Sequence, residues 1–457
     1  MNRRRKTSPW AWIPTLYIAE GLPYFAVNVM TVVMYTNLGV SKTDMALLTG
    51  WLYLPWVIKP IWSPFVDIIR TKRWWTLGTQ LLIAVALAGV AFALQLPAYL
   101  ALTLTFFWLM AFFSATHDIA ADGYYMLELT QHDQAAYVGV RSTFYRIASV
   151  IGQGGLIYLA GKLEESTHSI PFAWSLTFGL LSAFFFIIWL YHTRFLPKPE
   201  ADRPNRETTA CQIARNFGET FVTFFKKPHI ASALAFMLLY RLPEAMCLKI
   251  VPPFLLDSVD NGGLGLTTAE VGIANGTVGV IALLAGGIIG GIAIAKWGLK
   301  KCLWPMALSL TLPCVLYCVL AILQPQNFTL VCTAIAVEQF GYGFGFTAFM
   351  LYLIYFSQGE NKTSHYAFCT AFMALGMMIP GMAAGWIYDT LNTVNIFGGN
   401  GSPGYINFFW WIMLSCVATF IAVKCIHVAP HFGMKTAESK KLEKKELSIE
   451  SPKEEEL

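Results

Sequence analysis

Apolar stretches long enough to cross a bilayer recur along the whole chain, and they constrain its fold more than any other feature. A hydrocarbon core about 30 Å thick needs a helix of about 20 mostly apolar residues. Hydrophobic residues make up 56% of the 457-residue sequence and charged residues only 13%, whereas a soluble domain is roughly 25% charged. The sequence therefore predicts an all-α membrane protein and argues against a soluble one.

The apolar runs number twelve, and one long basic connection divides them six and six. This connection, 194–228, is interpreted as a cytoplasmic linker between an N-terminal half, 11–193, and a C-terminal half, 229–427. Residues 1–10 are assigned to a cytoplasmic N-terminus, and the charged tail 428–457 to a disordered segment. The predicted spans are 11–36, 45–66, 74–95, 97–122, 139–161, 170–193, 229–256, 266–295, 302–323, 327–356, 363–388 and 405–427.

The distribution of basic residues predicts the orientation of these spans. Only Lys42 and Lys162 fall on one side of the predicted membrane, and the remaining loop lysines and arginines fall on the other. The positive-inside rule then places both termini in the cytoplasm. The formal charge of +5 is explained by this topology, so we expect membrane lipids and no nucleic acid as partners. The nine cysteines form no CxxC pair and have no histidine at metal spacing, so no metal site or cofactor is predicted.

An internal repeat relates the two halves. The segment GLPY places Leu22-Pro23 in the first span, and RLPE places Leu242-Pro243 in the seventh, 220 positions later. The same offset relates Asp118 in span four to Glu338 in span ten. Two related six-helix halves are the plan of a major facilitator transporter, whose substrate site lies between the halves. Proline in corresponding helices points to that site, although a simple kink is the other interpretation.

Two aspartates end an otherwise apolar run, in SATHDIAADGYY. Asp118 and Asp122 lie four residues apart, so both carboxylates share one face of a helix. Like charges in a poorly hydrated site do not both ionise cheaply, so one acid is a candidate proton carrier. Arg146 lies at a depth from which it could reach Asp118. These three residues are the predicted proton-coupling cluster, and a lock on the cytoplasmic gate is the alternative.

Other ionisable residues within spans are candidates for the substrate site, because each costs several kcal/mol unless it is paired or hydrated. Arg241 and Glu244 either neutralise each other or bind a substrate carboxylate. Lys59 either faces an anionic ligand or extends to the interface. Glu20 and Glu338 have no cation nearby on their own helices.

Aromatic residues beside these charges are candidates for stacking on sugar rings or for ordinary packing. Those included in the predicted substrate site are Tyr124 and Tyr145. An enzyme is not expected, although His117 and Asp122 match the H-x4-D pattern of glycerolipid acyltransferases. Residues five apart on a helix point about 140° away from each other, and no nucleophile accompanies them.

Several segments resemble the AmpG muropeptide permeases of the major facilitator superfamily, to which certain acetyl-CoA transporters are related. They are GLPY, YLPWVIKPIWSPFVD, SATHDIAADGY, FYRIASVIGQGG, RLPEAM, AEVGIANGTVGVIALLAGGIIGG and GMMIPGMAAGWIYD. The resemblance covers nearly all twelve spans in order. It implies a proton-driven importer of GlcNAc–anhydroMurNAc, with or without peptide, in the bacterial inner membrane, and we expect the protein to be a monomer.

The resemblance carries over residue by residue. It implies functional roles for Asp118 and Asp122, for Tyr145 and Arg146, for Lys59 and for Glu338, and it places Arg241 and Glu244 where the family has Lys and Asp. The chain departs from the family at Glu20, where a small residue is expected, at His117, where glutamine is expected, and in a longer loop at 392–407. These departures leave open another cargo, such as a siderophore, an acyl-CoA or a different large anionic solute. A receptor that binds without translocating is the alternative from another class.

Overall fold

The computed structural model describes residues 8–199, 202–203, 210–359, 362–394, 403–429 and 432–433, and the regular elements within these residues are all helical. A helical segment occupies each of the twelve ranges that hydropathy predicts. We number the segments in chain order: α1 Pro9–Asn37, α2 42–69, α3 Lys72–Ala93, α4 Tyr99–Glu128, α5 131–167, α6 Ile170–Phe195, α7 230–256, α8 Thr268–Trp297, α9 Leu299–Leu323, α10 Phe328–Ser357, α11 Lys362–Asn392 and α12 Gly404–Cys425.

Nine of these segments, within the residues that the structure describes, are long and apolar enough to cross a membrane. The other three are α2, α5 and α7. A turn at Leu52 and Tyr53 interrupts α2, and a break at Tyr240 and Arg241 divides α7. The first part of α5, Gln131–Val150, carries many polar and charged side chains, which make it less apolar than the nine. The all-helical fold is confirmed, while twelve spans and cytoplasmic termini remain predictions.

Parts of the predicted domain organisation lie outside the described residues. These parts are residues 1–7, most of the central linker between 200 and 209, most of the loop before α12, and the tail from 434 onward. Within the linker, the helix Ala210–Phe225 is described. Its Phe224 is fully buried against Phe356 and Phe368 of the C-terminal half, so this linker helix is attached to that half.

The largest apolar cores each lie within one half, while a smaller cluster of Tyr53, Ala245, Met377 and Met378 contains residues of both halves. The largest buried cluster of the first half draws its members from α1 to α6, and the two large clusters of the second half draw theirs from the linker helix and α7 to α12. Each half therefore packs around its own core. Contacts between the halves come in addition to these cores.

Both repeated prolines lie beside a departure from regular α-helix. A π-helical segment, Ala26–Met30, begins three residues after Pro23. The break in α7 directly precedes Leu242, and Pro243 occupies the first turn of the helix that follows. Because proline removes a backbone donor and clashes with the preceding turn, the helix is loosened locally at each site.

The halves meet at one end of the bundle, which we call the closed end. There Lys42 of α2 forms an ion pair of 2.8 Å with Asp257, which follows α7. The Thr43 hydroxyl donates to Asp389 of α11 at 2.5 Å. Glu164 of α5 accepts a hydrogen bond of 2.5 Å from Thr268, the first residue of α8. Polar contacts between the halves thus join three separate helix pairs.

Backbone-to-backbone packing of α5 against α8 continues inward from the closed end. A Cβ added at Gly276 would lie 1.9 Å from the carbonyl oxygen of Gln153, and one at Gly161 would lie 2.2 Å from the backbone nitrogen of Ala269. Gly154 and Gly272 approach the facing helix in the same way. We call these four glycines the glycine seam; at Gly161, Gly272 and Gly276 an added Cβ would meet backbone atoms below 3.0 Å, and at Gly154 it would meet the Thr277 hydroxyl at 2.5 Å.

Candidate functional site

Five ionisable side chains from α1, α2, α4 and α5 form one cluster inside the first half. Four of them lie close enough to the buried carboxyl of the fifth, Glu20, to interact with it electrostatically. The cluster forms because the loosened α1 carries Glu20, while the adjacent turns of α4 present two acids on one face. We call it the charged cluster: Glu20, Lys59, Asp118, Asp122 and Arg141.

Each aspartate of the charged cluster has its own cation and its own aromatic donor. Asp118 accepts a hydrogen bond of 3.2 Å from the indole nitrogen of Trp56 and lies 3.6 Å from the Lys59 ammonium. Asp122 lies 2.7 Å from the Arg141 guanidinium and accepts a hydrogen bond of 3.3 Å from the Tyr17 hydroxyl. Partners differ because a shift of four residues moves one turn along the helix.

Glu20 is the third acid of the cluster, and neither cation forms a direct ion pair with it. Its side chain is 7% exposed, and its Oε2 has no hydrogen-bond partner among the described residues. With Lys59 near Asp118 and Arg141 on Asp122, the cluster contains one more acid than it has bases. A single bound proton would balance its charge.

Arg146 does not take the place that the sequence predicts. Its side chain is exposed, and no ion pair joins it to Asp118 within the described part of the chain; Arg141 contacts Asp122 instead. The two arginines are five positions apart on α5, so they point about 140° away from each other. The helix can turn only one of them toward α4.

In the second half, Arg241 and Glu244 form the pair that their spacing allows. Two hydrogen bonds of 2.7 and 2.9 Å join the guanidinium to both carboxylate oxygens, and the side chains are 11% and 14% exposed. The guanidinium also donates to the Tyr342 hydroxyl at 2.7 Å and lies 4.7 Å from the ring centre of Phe346. A substrate carboxylate would have to displace Glu244 to bind here.

Aromatic rings lie between this pair and the charged cluster. Tyr24 packs edge-on against Trp56, with ring centres 5.3 Å apart, and against Tyr53 at 6.4 Å. Tyr24 lies within electrostatic reach of both Arg241 and Asp118. We call Tyr24, Tyr53 and Trp56 the aromatic wall. It connects the charged groups of the two halves.

Of the remaining predicted site residues, Glu338 and Tyr124 lie elsewhere, whereas Tyr145 lies within electrostatic reach of Asp118 and Glu20. Glu338 is 4% exposed in the core of the second half, where it accepts hydrogen bonds from the hydroxyl of Tyr317 at 2.9 Å and the amide of Gln339 at 2.8 Å. Tyr124 is fully buried and donates to the carbonyl of Pro197, so it has no access to the charged cluster. Tyr145 is half-buried and packs against Phe25.

His117 points away from the aspartate that follows it. Its Nε2 lies 3.0 Å from the side chain of Gln80, which also contacts His192. His192 in turn contacts the Thr15 hydroxyl at 2.9 Å. These buried polar side chains join α1, α3, α4 and α6 inside the first half. His117 and Asp122 serve different contacts, as their separation on the helix predicts.

Sequence reasoning misses three residues that the structure brings to the site. Arg141 lies near the predicted start of span five at residue 139, so from the sequence it counts among the basic residues of the cytoplasmic side and not among the site candidates. Tyr24 belongs to the GLPY motif, but its role follows only from the loosened backbone around Pro23. Tyr53 lies at the turn that interrupts α2. Hydropathy does not predict this turn, because the residues on both sides of it are apolar.

Comparison with known proteins identifies the family of the chain. A protein-family profile described as Major Facilitator Superfamily matches residues 15–254, just over half of the chain. The anhydromuropeptide permease of Escherichia coli is 25% identical over 361 residues, which cover 77% of this chain and 68% of the permease. An uncharacterized protein of Haemophilus influenzae is 24% identical over 87% of this chain and 89% of its own length.

Solved structures show the same fold. A variant of the nucleoside transporter NupG superposes with a TM-score of 0.69 at 12% identity, over 91% of this chain and 99% of that one. The helical architecture, the two half-cores and the matched family agree with one another. The chain therefore belongs to the Major Facilitator Superfamily, and it is a membrane transporter of a small-molecule substrate rather than an enzyme.

Proposed function

We propose that the chain is a proton-coupled importer of anhydro-muropeptides, GlcNAc–anhydroMurNAc with or without peptide, in a bacterial inner membrane. The observation that carries the proposal is the composition of the charged cluster, with three acids and two bases around the buried, unpaired Glu20. An excess buried acid in a transporter is a natural proton carrier, because burying its charge costs several kcal/mol.

The contacts of the cluster favour coupling over a gate lock. Asp118 contacts Trp56 and Lys59 of α2, while Asp122 contacts Tyr17 of α1 and Arg141 of α5. All of these partners belong to the first half, so the contacts do not hold the two halves together. A proton on the cluster instead changes how tightly α1, α2, α4 and α5 hold one another.

The cycle follows from alternating access. In the predicted orientation, the closed end faces outward, so we assign the described state to the step of the cycle at which cargo leaves to the cytoplasm. Separation of the halves at the closed end admits cargo and a proton. Closure of the glycine seam then restores the conformation seen in the structure, from which cargo and proton leave to the cytoplasm. The protein works as a monomer, because each monomer carries both halves.

The cargo assignment is supported by similarity and by the chemistry of the aromatic wall. The E. coli relative is named for anhydromuropeptide transport, and the partly exposed rings of Tyr24 and Trp56 suit stacking against sugar rings, with the buried Tyr53 packed against Tyr24. Lys59 is 30% exposed, and its distance of 3.6 Å from Asp118 is longer than a hydrogen bond. Its ammonium is thus better placed for a muramyl carboxylate than Arg241, which Glu244 already holds with two hydrogen bonds.

The test is uptake of labelled GlcNAc–anhydroMurNAc by proteoliposomes that contain the purified chain, with and without an inward proton gradient. We expect accumulation with the gradient and its loss when a protonophore is added. Accumulation that does not depend on the proton gradient would contradict proton coupling. A folded protein that takes up no disaccharide would remove this cargo and favour another large anionic solute, such as a siderophore or acyl-CoA.

Asp118→Asn separates proton coupling from a structural role. We expect this variant to lose gradient-driven accumulation and to retain exchange of labelled for unlabelled cargo, because exchange needs no net proton movement. Glu165→Gln is the matched control, since Glu165 is an exposed acid paired with Lys162. Loss of folded protein in Asp118→Asn, with normal Glu165→Gln, would mean that Asp118 is needed for structure.

A further inference from the structure

A lysine that the charged cluster does not include is buried between the two halves. Lys249 of α7 is 1% exposed, and its ammonium donates a hydrogen bond of 2.8 Å to the hydroxyl oxygen of Thr49 in α2. Thr49 is itself fully buried and uses its own hydrogen to bond the carbonyl of Met45 at 2.7 Å. The bond therefore crosses from the second half to the first.

Within the part of the chain that the structure describes, this ammonium has no negatively charged partner. Among the described residues, no carboxylate lies within 4.0 Å of Lys249, whereas Lys42 pairs with Asp257 and Arg241 with Glu244. The surroundings of Lys249 are the Tyr53 ring, 5.5 Å away, and the backbone near Gly381 of α11. A buried cation without a counter-charge costs several kcal/mol, and a methionine would fill the same space without that cost.

The position of Lys249 connects it to the closed end. It precedes Asp257 by eight residues and Thr49 follows Lys42 by seven, so both lie about 10–12 Å below the Lys42–Asp257 ion pair at a rise of about 1.5 Å per residue. When the halves separate at that end, the ion pair and the Lys249–Thr49 bond break together. The ammonium then faces the newly opened space.

We propose that Lys249 binds a carboxylate of the cargo in the state that is open at the closed end. The inference deepens the proposed function and rests on it, because it assigns a recognition group to the step at which cargo enters. An ammonium offers three donors and a full charge to a carboxylate. Re-closure transfers Lys249 from the carboxylate back to Thr49, which releases the anionic group toward the charged cluster and Lys59.

Transport kinetics with two cargoes test the recognition. The probes are GlcNAc–anhydroMurNAc, whose lactyl group is a free carboxylate, and the same disaccharide with that group converted to an amide. We expect Lys249→Met to raise KM for the acid at least about tenfold, the value of one charged hydrogen bond, and to leave KM for the amide within about twofold. Lys249→Arg is expected to retain most of the affinity for the acid.

Thr49→Val is the matched control, because it removes the contact of the closed state and leaves the ammonium in place. We expect it to change KM for both cargoes by the same factor, because loss of the closed-state contact shifts the balance between open and closed states without touching the contact with the carboxylate. Equal loss of both cargoes in Lys249→Met, or no loss of either, would overturn the proposal, since the lysine would then act only in packing.

A second measurement does not depend on transport. Lys249 is acetylated with a membrane-impermeant, amine-reactive reagent, and the extent of acetylation is measured by mass spectrometry. The test variant is Gly276→Ala, in which the added Cβ holds the glycine seam apart. The control is Gly155→Ala, in which the added Cβ meets nothing within 4 Å. We expect faster labelling in Gly276→Ala, and protection by the acid disaccharide but not by the amide.

These outcomes separate the two proposals. If the unmodified chain takes up neither disaccharide, the proposed cargo fails, and selective protection by the acid still supports Lys249 as a carboxylate-binding residue. If Lys249 stays unlabelled in Gly276→Ala, or if acid and amide protect it equally, the inference about Lys249 is wrong whatever the uptake assay gives.

Discussion

Gly276→Ala is expected to open the closed end of the bundle. The added Cβ would lie 1.9 Å from the carbonyl oxygen of Gln153, whereas ordinary contact begins near 3.4 Å. The two helix backbones must therefore move apart by about 1.5 Å. Because neither backbone can rotate out of the way as a side chain does, the substitution destabilises only the state in which the seam is closed.

The size of the effect follows from the cost of overpacking, which is typically about 1–3 kcal/mol. Each 1.4 kcal/mol changes an equilibrium constant tenfold, so the ratio of open to closed seam should rise by about 5- to 150-fold. The rate of cargo release should fall in parallel, because release requires the closed seam. The rate of Lys249 labelling measures the ratio of open to closed seam, and the maximal uptake rate measures the rate of cargo release.

Two further glycines provide a graded series. Gly154→Ala meets the Thr277 hydroxyl at 2.5 Å, which a side-chain rotation can relieve, so we expect a smaller shift. Gly155→Ala adds a Cβ in open space and should leave both measurements unchanged. Equal effects in all three variants would refute the reasoning, since a general change in helix propensity would then explain them.

Three other substitutions test separate contacts. Arg141→Gln leaves Asp122 without its cation, and both side chains are about one-third exposed. We therefore expect the free energy of unfolding to fall by about 1 kcal/mol, measured as a drop of a few degrees in melting temperature. A loss of more than about 3 kcal/mol would contradict this, because it would mean that the pair is fully buried. Glu164→Gln weakens the bond from Thr268, so the seam should open about tenfold more often, and labelling of Lys249 at the unmodified rate would contradict this role. Tyr24→Ala removes a face of the aromatic wall and should raise KM about tenfold, whereas Tyr24→Phe should not; equal KM values would exclude stacking.

Helix positions could be predicted from the sequence because hydropathy acts on long stretches. The twelve predicted ranges coincide with helical segments, including the interrupted α2 and α7. The pair Arg241–Glu244 was also predictable, because both members lie on one helix and their spacing decides whether they meet. Local rules suffice for such features.

Contacts between helices were harder to predict. Which arginine of α5 reaches α4 depends on the rotation of the helix about its axis, and Arg141 rather than Arg146 faces the cluster. The rule that singled out Asp118 would also have singled out Lys249, which interrupts an apolar run in α7. Its partner Thr49 could not have been found, because the contact joins two helices whose residues are 200 positions apart in the sequence.

The seam that closes the bundle is made largely of glycine backbone, and this limits how strongly it can hold. Glycine buries little apolar area, so parting α5 from α8 exposes little hydrophobic surface, and the hydrophobic effect scales with that area. The groups that break contact at the closed end, such as Lys42, Asp257, Thr268 and Glu164, are polar ones that water can solvate. The open and closed states should thus differ in free energy by only a few kcal/mol, a difference that binding of a single solute can reverse.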